Sequence, residues 1–231
     1  MKLDRINVKE AFRYMGYGSS TPDDNVLSIA EECERLLLEV IDAKYVYRYF
    51  RIEEICTSDT TDRKAGVILD GCDLALMGNS ISEHLKGCEG AVLFAVTLSE
   101  GVDRLIRKLE LSSMASAVIV DSMASAAIEQ VCDIAEQEIL EKLSDRYATW
   151  RFSPGYGDFP IESQKKFLEV LSASKRIGVN ITQGGLMTPC KSVTAVMGIS
   201  DREVDRKRRG CSVCSMRESC AFRRKGEHCG V

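Results

Sequence analysis

An apolar segment of small residues in the middle of the chain constrains the fold most strongly. Residues 114–130 read MASAVIVDSMASAAIEQ, in which Asp121 is the one charged residue before Glu129. The alanines and serines allow neighbouring elements to approach closely, and apolar character on all sides is typical of a buried helix. We therefore predict a central buried helix within a helical stretch over residues 102–146 that is broken near residues 111–113.

The segments around this helix predict a mixed α and β fold. Residues 45–52 are aromatic and β-branched and alternate in polarity, as in a strand. Residues 91–98 (AVLFAVTL) are apolar throughout, which predicts a strand buried on both faces. Further strands are predicted at residues 66–69, 148–152 and 192–199, and helices at residues 8–14, 25–43, 80–87 and 162–176. The predicted fold class is α+β, a single domain with a central, largely antiparallel sheet flanked by helices, plus a Cys-rich C-terminal tail.

Two local signals place the starts of helices. Asp23 or Asp24 is a candidate N-cap for the helix predicted at residues 25–43. Ser80 and Glu83 have the spacing of a capping box, which predicts a helix that starts there and ends at Gly87.

Charge and composition make several classes of partner unexpected. The 231 residues contain 31 Lys and Arg against 35 Asp and Glu, a net charge of −4. Nucleic-acid binding needs concentrated basic residues, so no nucleic-acid partner is expected. We see no apolar run of the roughly 20 residues that span a bilayer, and the first ten residues lack the apolar core of a signal peptide. We therefore expect a cytoplasmic protein without a membrane contact or a disulfide framework.

The last 31 residues differ from the rest of the chain. Residues 201–231 carry nine Lys and Arg against five Asp and Glu, a net charge of +4, whereas residues 1–200 carry 22 against 30, a net charge of −8. Four cysteines crowd into this tail, Cys211, Cys214, Cys220 and Cys229. Their spacing suits a zinc ion or an iron–sulfur cluster. The alternative is a flexible tail with free thiols.

Two loop motifs lie in the region rich in proline and glycine. The first reads Arg151-Phe-Ser-Pro-Gly-Tyr156 and predicts a rigid turn, because Pro154 fixes φ and Gly155 allows a positive φ. Arg151 supplies a planar fork that suits a carboxylate. The second motif, residues 180–194, contains the adjacent glycines 184 and 185, which permit close approach by a ligand or form a bulged hairpin. An ordinary turn with a surface arginine is the alternative for the first motif.

Together these motifs resemble the activation domain of cobalamin-dependent methionine synthase, over about residues 5–200. The resemblance implies that residues 1–200 form an activation-like domain, with residues 201–231 as a separate basic tail. It further implies a domain that binds S-adenosylmethionine and docks over a cobalamin carried by another domain. That activity supports reductive methylation of inactive cob(II)alamin in methionine biosynthesis.

The resemblance also implies roles for individual residues. Arg151 is expected to hold the carboxylate of S-adenosylmethionine, with Ser153, Pro154 and Gly155 around it. Tyr156 is expected beside the ligand and near the corrin, as the residue closest to the methyl transfer. The acidic contact of the family aligns with Ser125, and Glu129, one turn further on, is its expected substitute. Glu10 is a candidate for a second acidic contact.

His84 requires a separate interpretation. Residues 82–87 partly match the box by which cobalamin domains ligate cobalt, but the Asp that would orient the imidazole is missing. We interpret His84 as an ordinary helix residue and expect a partner to supply the cobalamin.

The predicted function is therefore the reactivation of a separate methionine synthase or another corrinoid protein, as the activation component of that methyltransferase. The electron is expected from an external reductant such as flavodoxin or ferredoxin. Two alternatives stay open. One is a non-catalytic module that binds S-adenosylmethionine or corrinoid proteins, and the other is an iron–sulfur electron-transfer protein on the same scaffold.

Overall fold

A computed structural model describes residues 1–18, 20–56, 64–144 and 146–204 of the chain. The helices in these residues are α1 (Val8–Tyr14), α2 (Asp24–Val40), α3 (Asn79–His84), α4 (Glu100–Ser112), α5 (Met114–Lys142), α6 (Ser163–Leu171) and α7 (Ala173–Ile177). The strands are β1 (Lys44–Cys56), β2 (Gly66–Leu69), β3 (Leu76–Met77), β4 (Gly90–Thr97), β5 (Tyr147–Ala148), β6 (Asn180–Ile181), β7 (Met187–Thr188) and β8 (Ser192–Ser200).

Six strands form one antiparallel sheet in the order β3-β2-β1-β4-β8-β5, and β6 and β7 form a separate hairpin. The central strand β4 pairs along its whole length with β1 on one side and β8 on the other. Every residue of β4 is buried, as its unbroken apolar sequence predicts. The predicted α+β class and antiparallel sheet are confirmed.

One face of the sheet is covered by α5, with α1, α2 and α4 packed on that helix. The predicted break before α5 is confirmed at Ser113, which has extended backbone and caps α5 through its side chain. Val120, Met123 and Val131 of α5 are fully buried in the core formed with Phe94. By length and composition α5 could cross a membrane, but 56% of its most apolar window is buried inside the protein. Packing in the core therefore accounts for its apolar sequence.

The other face of the sheet is covered by α3, α6 and α7. Phe159 and Phe167 are fully buried there, in the same core as Leu93 and Val196 of the sheet. Alternate residues of β8 therefore serve the two cores, with Ala195 in the first and Val196 in the second. Residues 192–195 of β8 lie beyond its pairing with β5 and the bridge to Phe152, and there both layers can contribute residues to one site.

Three predicted elements differ from the structure. The capping box is wrong, because α3 begins at Asn79 after Gly78, which makes no side-chain cap. The strand predicted at residues 148–152 pairs only at β5 and through a single bridge from Phe152 to Val196. The helix predicted at residues 162–176 is two helices, because Ser172 between them adopts a left-handed conformation with φ of 52°.

Candidate functional site

The two loop motifs meet at one cavity of about 180 Å³ beside the edge of β8. Residues from the first motif, the second motif, α5 and α6 line it. They are Glu129, Arg151, Ser153, Pro154, Tyr156, Gln164, Met187, Ser192, Val193 and Thr194. The cavity thus gathers five of the six predicted ligand-binding residues from segments far apart in the sequence. A larger cavity of about 260 Å³, lined by Arg48, Cys72, Asp73 and Lys166 among others, contains residues of neither motif.

The sixth predicted residue, Gly155, shapes the turn but is not among the described residues that line the cavity. Its φ of 92° lies in the region that favours glycine. Its amide donates to the carbonyl of Phe159 at 2.8 Å, and the Tyr156 amide donates to the carbonyl of Ser153 at 3.0 Å. The turn therefore satisfies these amides within itself, and its side chains and other backbone atoms are what it presents to a ligand.

Aromatic rings pack against one another next to this turn. The ring of Phe152 lies 5.9 Å from that of Tyr156 and 4.9 Å from that of His84. Tyr156 itself keeps 41% of its surface exposed at the mouth of the cavity. His84 packs edge-on against Trp150. The packing on Phe152 thereby holds the partly exposed ring of Tyr156 at the rim of the cavity.

His84 is engaged within the protein. Its Nε2 atom lies 2.8 Å from the hydroxyl of Thr149, which in turn accepts a hydrogen bond from the amide of Gly198. The imidazole therefore ties α3 to the segment that leads into the first motif. This arrangement fits the interpretation of His84 as an ordinary helix residue.

Asp158 fixes the position of the same turn. Its carboxylate accepts hydrogen bonds from the backbone amides of Asn79 and Ser80, at 2.7 and 2.8 Å, at the start of α3. Burial alone would raise the carboxyl pKa, but the hydrogen bonds from Ser80 and Asn79 outweigh it and lower the pKa to about 2. Asp158 therefore supplies the cap that Gly78 cannot provide.

Arg151 is the electrostatic centre of the cavity. Its guanidinium contacts three carboxylates of α5, Glu129 at 3.0 Å, Asp133 at 2.7 Å and Glu136 at 2.8 Å. Burial would lower the pKa of Arg151, but the charges of Glu136 and Asp133 hold it above its usual range, so the guanidinium stays protonated. The side chain is only 17% exposed. The predicted fork for a carboxylate is therefore already engaged by carboxylates of the protein.

A lysine of the second motif also contacts α5. Lys191 lies 2.8 Å from Asp121 and donates to the hydroxyl of Ser125 at 2.9 Å. Ser125 also donates to the carbonyl of Asp121, one turn back. Ser125 thus anchors the second motif to α5, whereas Glu129, its expected substitute, lines the cavity.

The N-terminal helix reaches the same region. The Asn7 amide donates to the side chain of Gln130 at 2.8 Å, which fixes α1 on α5. Burial raises the pKa of Tyr14 to about 12, and the charges of Glu10 and Glu129 contribute to this shift. Glu10 itself contacts Arg13 at 2.9 Å, so the candidate acidic contact forms an ion pair within its own helix.

Three residues of the site, Asp133, Glu136 and Gln164, lie outside both motifs and are absent from the sequence prediction. Asp133 and Glu136 follow Glu129 at helical spacing, a signal that could have found them once Arg151 was placed beside α5. Gln164 and Thr194 are both buried, and the Gln164 amide donates to the Thr194 hydroxyl at 3.3 Å across the cavity wall. No sequence pattern marks that pair, because it joins α6 to β8 through tertiary packing.

The predicted metal site lies elsewhere. Cys211, Cys214, Cys220 and Cys229 fall outside the described residues. Within residues 1–18, 20–56, 64–144 and 146–204, no group of three or more His, Cys, Asp or Glu side chains could hold a metal ion. The tail ligands remain a prediction from their spacing.

Comparisons with known proteins match the chain to a family model and to solved structures. The family model described as the activation domain of vitamin B12 dependent methionine synthase matches residues 80–204, more than half of the chain. A crystal structure of the MetH reactivation domain bound to AdoHcy is similar with a TM-score of 0.56 and 15% sequence identity, over 95% of this chain and 83% of that chain. At this identity the likeness shows the fold. A search of curated proteins gives no match.

Proposed function

The chain belongs to the activation-domain family of vitamin B12 dependent methionine synthases, and from this we propose that it binds S-adenosylmethionine and reactivates a separate corrinoid protein. A methionine synthase without its own activation domain is the partner that this role fits best. The site residues are those around the cavity, with Tyr156 nearest the methyl transfer and Arg151 at the amino-acid end of the ligand. The AdoHcy bound in the similar crystal structure of the MetH reactivation domain supports the choice of ligand.

The observation that carries the proposal is the meeting of the two motifs at one cavity. Arg151, Ser153 and Tyr156 come from the first motif, and Met187 and Thr194 come from the second motif. The matched family region, residues 80–204, includes both motifs and most of α5. A cation, a carboxylate, hydroxyls and an apolar wall therefore lie together, which is the mixture that an amino acid joined to a nucleoside requires.

The polar end of the cavity suits the zwitterionic part of S-adenosylmethionine. The ligand carboxylate would contact Arg151 by replacing a protein carboxylate, and Asp133, with 69% of its side chain exposed, is the one most open to exchange. The ligand ammonium would then contact Glu129, which lines the cavity. The exchange keeps every charge paired, so the ligand does not have to create a new buried charge.

The chemistry needs little from side chains beyond positioning. The partner would supply the cobalamin, which would serve as methyl acceptor after one-electron reduction by flavodoxin or ferredoxin. The S–CH₃ bond of S-adenosylmethionine would break, the methyl group would pass to cobalt, and sulfur would keep the electron pair. This chain has only two histidines, and His84 is engaged by Thr149. The described residues therefore contribute orientation and exclusion of water more than proton transfer.

The same engagement supports a cobalamin that belongs to the partner. His84 packs between Thr149, Trp150 and Phe152, so its imidazole would have to leave this packing to ligate cobalt. Tyr156 and the exposed Leu186, beside the cavity residue Met187, provide apolar contacts at the rim for a docking partner. We propose that the corrin approaches from this rim.

Calorimetry with S-adenosylmethionine tests the proposal. We expect the wild-type chain to bind and Arg151→Lys to bind at least tenfold more weakly, because an ammonium cannot reproduce the planar fork. Arg104→Lys, which changes an exposed ion pair with Glu100 on α4, is the matched control and should bind like wild type. Equal affinities for wild type and Arg151→Lys would remove Arg151 from the site.

Methyl transfer is the second readout. S-adenosylmethionine, a one-electron reductant and a cobalamin protein should yield methylated cobalamin when the chain is added. Ligand binding without methyl transfer to any tested corrinoid partner would favour the non-catalytic binding module.

A further inference from the structure

A buried amide and a buried hydroxyl form one end of the cavity. Gln164 of α6 and Thr194 of β8 both line it, although their exposed fractions are only 7% and 2%. The Nε2 atom of Gln164 donates to the hydroxyl of Thr194 at 3.3 Å. Polar side chains that are buried this deeply normally have hydrogen-bond partners, so an acceptor that lacks one requires an explanation.

The Oε1 atom of Gln164 is such an acceptor. Among the described residues no donor reaches it, because the hydrogen bond to Thr194 is made by the nitrogen of the same amide. In the described part of the chain, every side-chain nitrogen or oxygen that is sealed from solvent has a partner. Oε1 is therefore not sealed, and since Gln164 lines the cavity, this acceptor is open to the cavity.

The amide lies at the uncharged end of the cavity. Thr194 is on the same face of β8 as Val196, which packs in the core with α6, whereas Glu129 comes from α5 on the other face. Glu129 and Arg151 are the charged residues among the described residues of the lining. The cavity thus reaches round the edge of β8, with ionic groups towards α5 and the amide and hydroxyl towards α6.

We propose that Gln164 recognises the adenine base of the ligand, with its Oε1 atom as the acceptor for the exocyclic amine. The inference rests on the proposed function, because it concerns the other end of the same ligand. It assigns to the cavity a specificity for adenine over other purines, and to Thr194 the task of orienting the amide.

The chemistry of the base selects this partner. With the amino-acid group at Arg151 and Glu129, the nucleoside is the part of the ligand that extends to the uncharged end. Adenine presents an amine donor next to a ring-nitrogen acceptor, and a glutamine amide matches this pattern with Oε1 and a hydrogen of Nε2. Hypoxanthine carries a carbonyl oxygen in place of the amine, so two acceptors would face each other and neither would be satisfied.

Apolar side chains near the amide suit the faces of a purine. Pro154 of the first motif and Met187 of the second motif line the cavity together with Val193. A thioether packs favourably on aromatic rings, and a few polar groups in an apolar lining are what fix the orientation of a ligand. Gln164 would then hold the edge of the base, while the apolar side chains contact its faces.

Thr194 prepares the amide for this contact. It lies within β8 and pairs with Ala95 of the central strand β4, so its position is set by the sheet. A glutamine side chain has several rotatable bonds, and ordering them on binding would weaken the affinity. The hydrogen bond to Thr194 and the burial of Gln164 restrict these bonds before the ligand arrives.

Two ligands that differ only in the base test the inference. They are S-adenosylhomocysteine and S-inosylhomocysteine, in which a carbonyl oxygen replaces the exocyclic amine. Calorimetry on the full chain gives the ratio of their dissociation constants, in which the contacts of the amino-acid group and the ribose cancel. We expect wild type to bind the adenosine form about tenfold more tightly. Gln164→Met, which keeps the length of the side chain without the amide, should bring the ratio close to one.

Three further variants separate recognition from packing. Gln164→Glu keeps an acceptor at the same place and should keep a preference of about threefold for the adenosine form. Thr194→Val removes the hydroxyl that orients the amide and should reduce the ratio in part. Gln137→Met is the matched control, because Gln137 is exposed on α5 and is not among the described residues of the lining, and it should leave the ratio unchanged. Circular dichroism confirms that each variant is folded.

The contrary results differ in what they overturn. Equal affinities of wild type for the two ligands, or the same ratio in wild type and Gln164→Met, would overturn the recognition of adenine by Gln164 and leave the proposed function intact. If Gln164→Met did not fold, an unchanged ratio in Thr194→Val would count against the inference in the same way. If wild type bound neither ligand, both proposals would fall together.

Discussion

The carboxylate of Glu136 lies 2.8 Å from Nη1 of Arg151, which ties the first loop motif to the C-terminal half of the central helix α5. Asp133 and Glu129 contact the same guanidinium from about one and two turns earlier, respectively. The site is thus built on the long core helix of the fold. Its geometry should be rigid, and its charges should couple to the stability of the protein.

Removing the guanidinium should destabilise the chain. Arg151→Met removes the cation that Glu129, Asp133 and Glu136 share, and we expect the free energy of unfolding to fall by about 2 kcal/mol. In the double variant Arg151→Met with Glu136→Gln, about half of this loss should return, because one of the charges that lose Arg151 is gone. Urea unfolding measures both. If Glu136→Gln made the double variant less stable than Arg151→Met, the repulsion among the carboxylates would be unimportant.

The cap of α3 gives a second prediction. Asp158→Ala removes the acceptors for Asn79 and Ser80 and should lower the free energy of unfolding by about 1 kcal/mol. It should also weaken binding of S-adenosylmethionine, because Asp158 positions the turn that contains Tyr156. Asp23→Ala removes the cap of α2, a helix that contributes no residue to the lining of the cavity, and should cost similar stability while leaving the affinity unchanged. If Asp158→Ala and Asp23→Ala changed the affinity equally, the cap of α3 would have no specific role in positioning the site.

The lowered pKa of Asp158 predicts a specific dependence on pH. A carboxyl group whose folded-state pKa is about 2 contributes stability above its unfolded pKa of about 4 and loses that contribution as the pH falls towards 2. The stability difference between wild type and Asp158→Asn should therefore be constant from pH 5 to 7 and shrink below pH 4. A difference that stays constant down to pH 2 would contradict the lowered pKa.

The tail gives a prediction from cysteine spacing alone. After anaerobic expression, the full chain should carry stoichiometric zinc or iron, and the double variant Cys211→Ser with Cys214→Ser should lose it. Metal analysis and visible absorption spectra distinguish the two metals. Cys72→Ser, which changes a cysteine of the larger cavity, is the control and should keep the metal. Absence of both metals from the wild type would leave the free-thiol interpretation.

The sequence predicts those parts of the fold that follow from local pattern. The buried strand β4 and the long helix α5 appear in the sequence as continuous apolar segments, and the structure has both. The positive φ of Gly155 follows from the Pro-Gly pair of the first motif. In each case neighbouring residues carry enough information, because burial on all sides or a turn conformation requires particular residue types.

The rest depends on contacts between distant segments. The cap of α3 comes from Asp158, 78 residues after Ser80, so the Ser80 and Glu83 pattern misleads although its spacing is correct. The break between α6 and α7 at Ser172 has neither glycine nor proline that would have indicated it in the sequence. Asp133 and Glu136 have the spacing of a helix face, but their role appears only when Arg151 lies beside them.

The most direct test of the central claim is a crystal structure of the full chain with S-adenosylmethionine. We predict electron density for the ligand in the cavity between Arg151 and Thr194, with its carboxylate on Arg151, its ammonium on Glu129 and its methyl group directed towards the rim at Tyr156. Ligand density at another place, or an empty cavity at saturating ligand, would contradict the account.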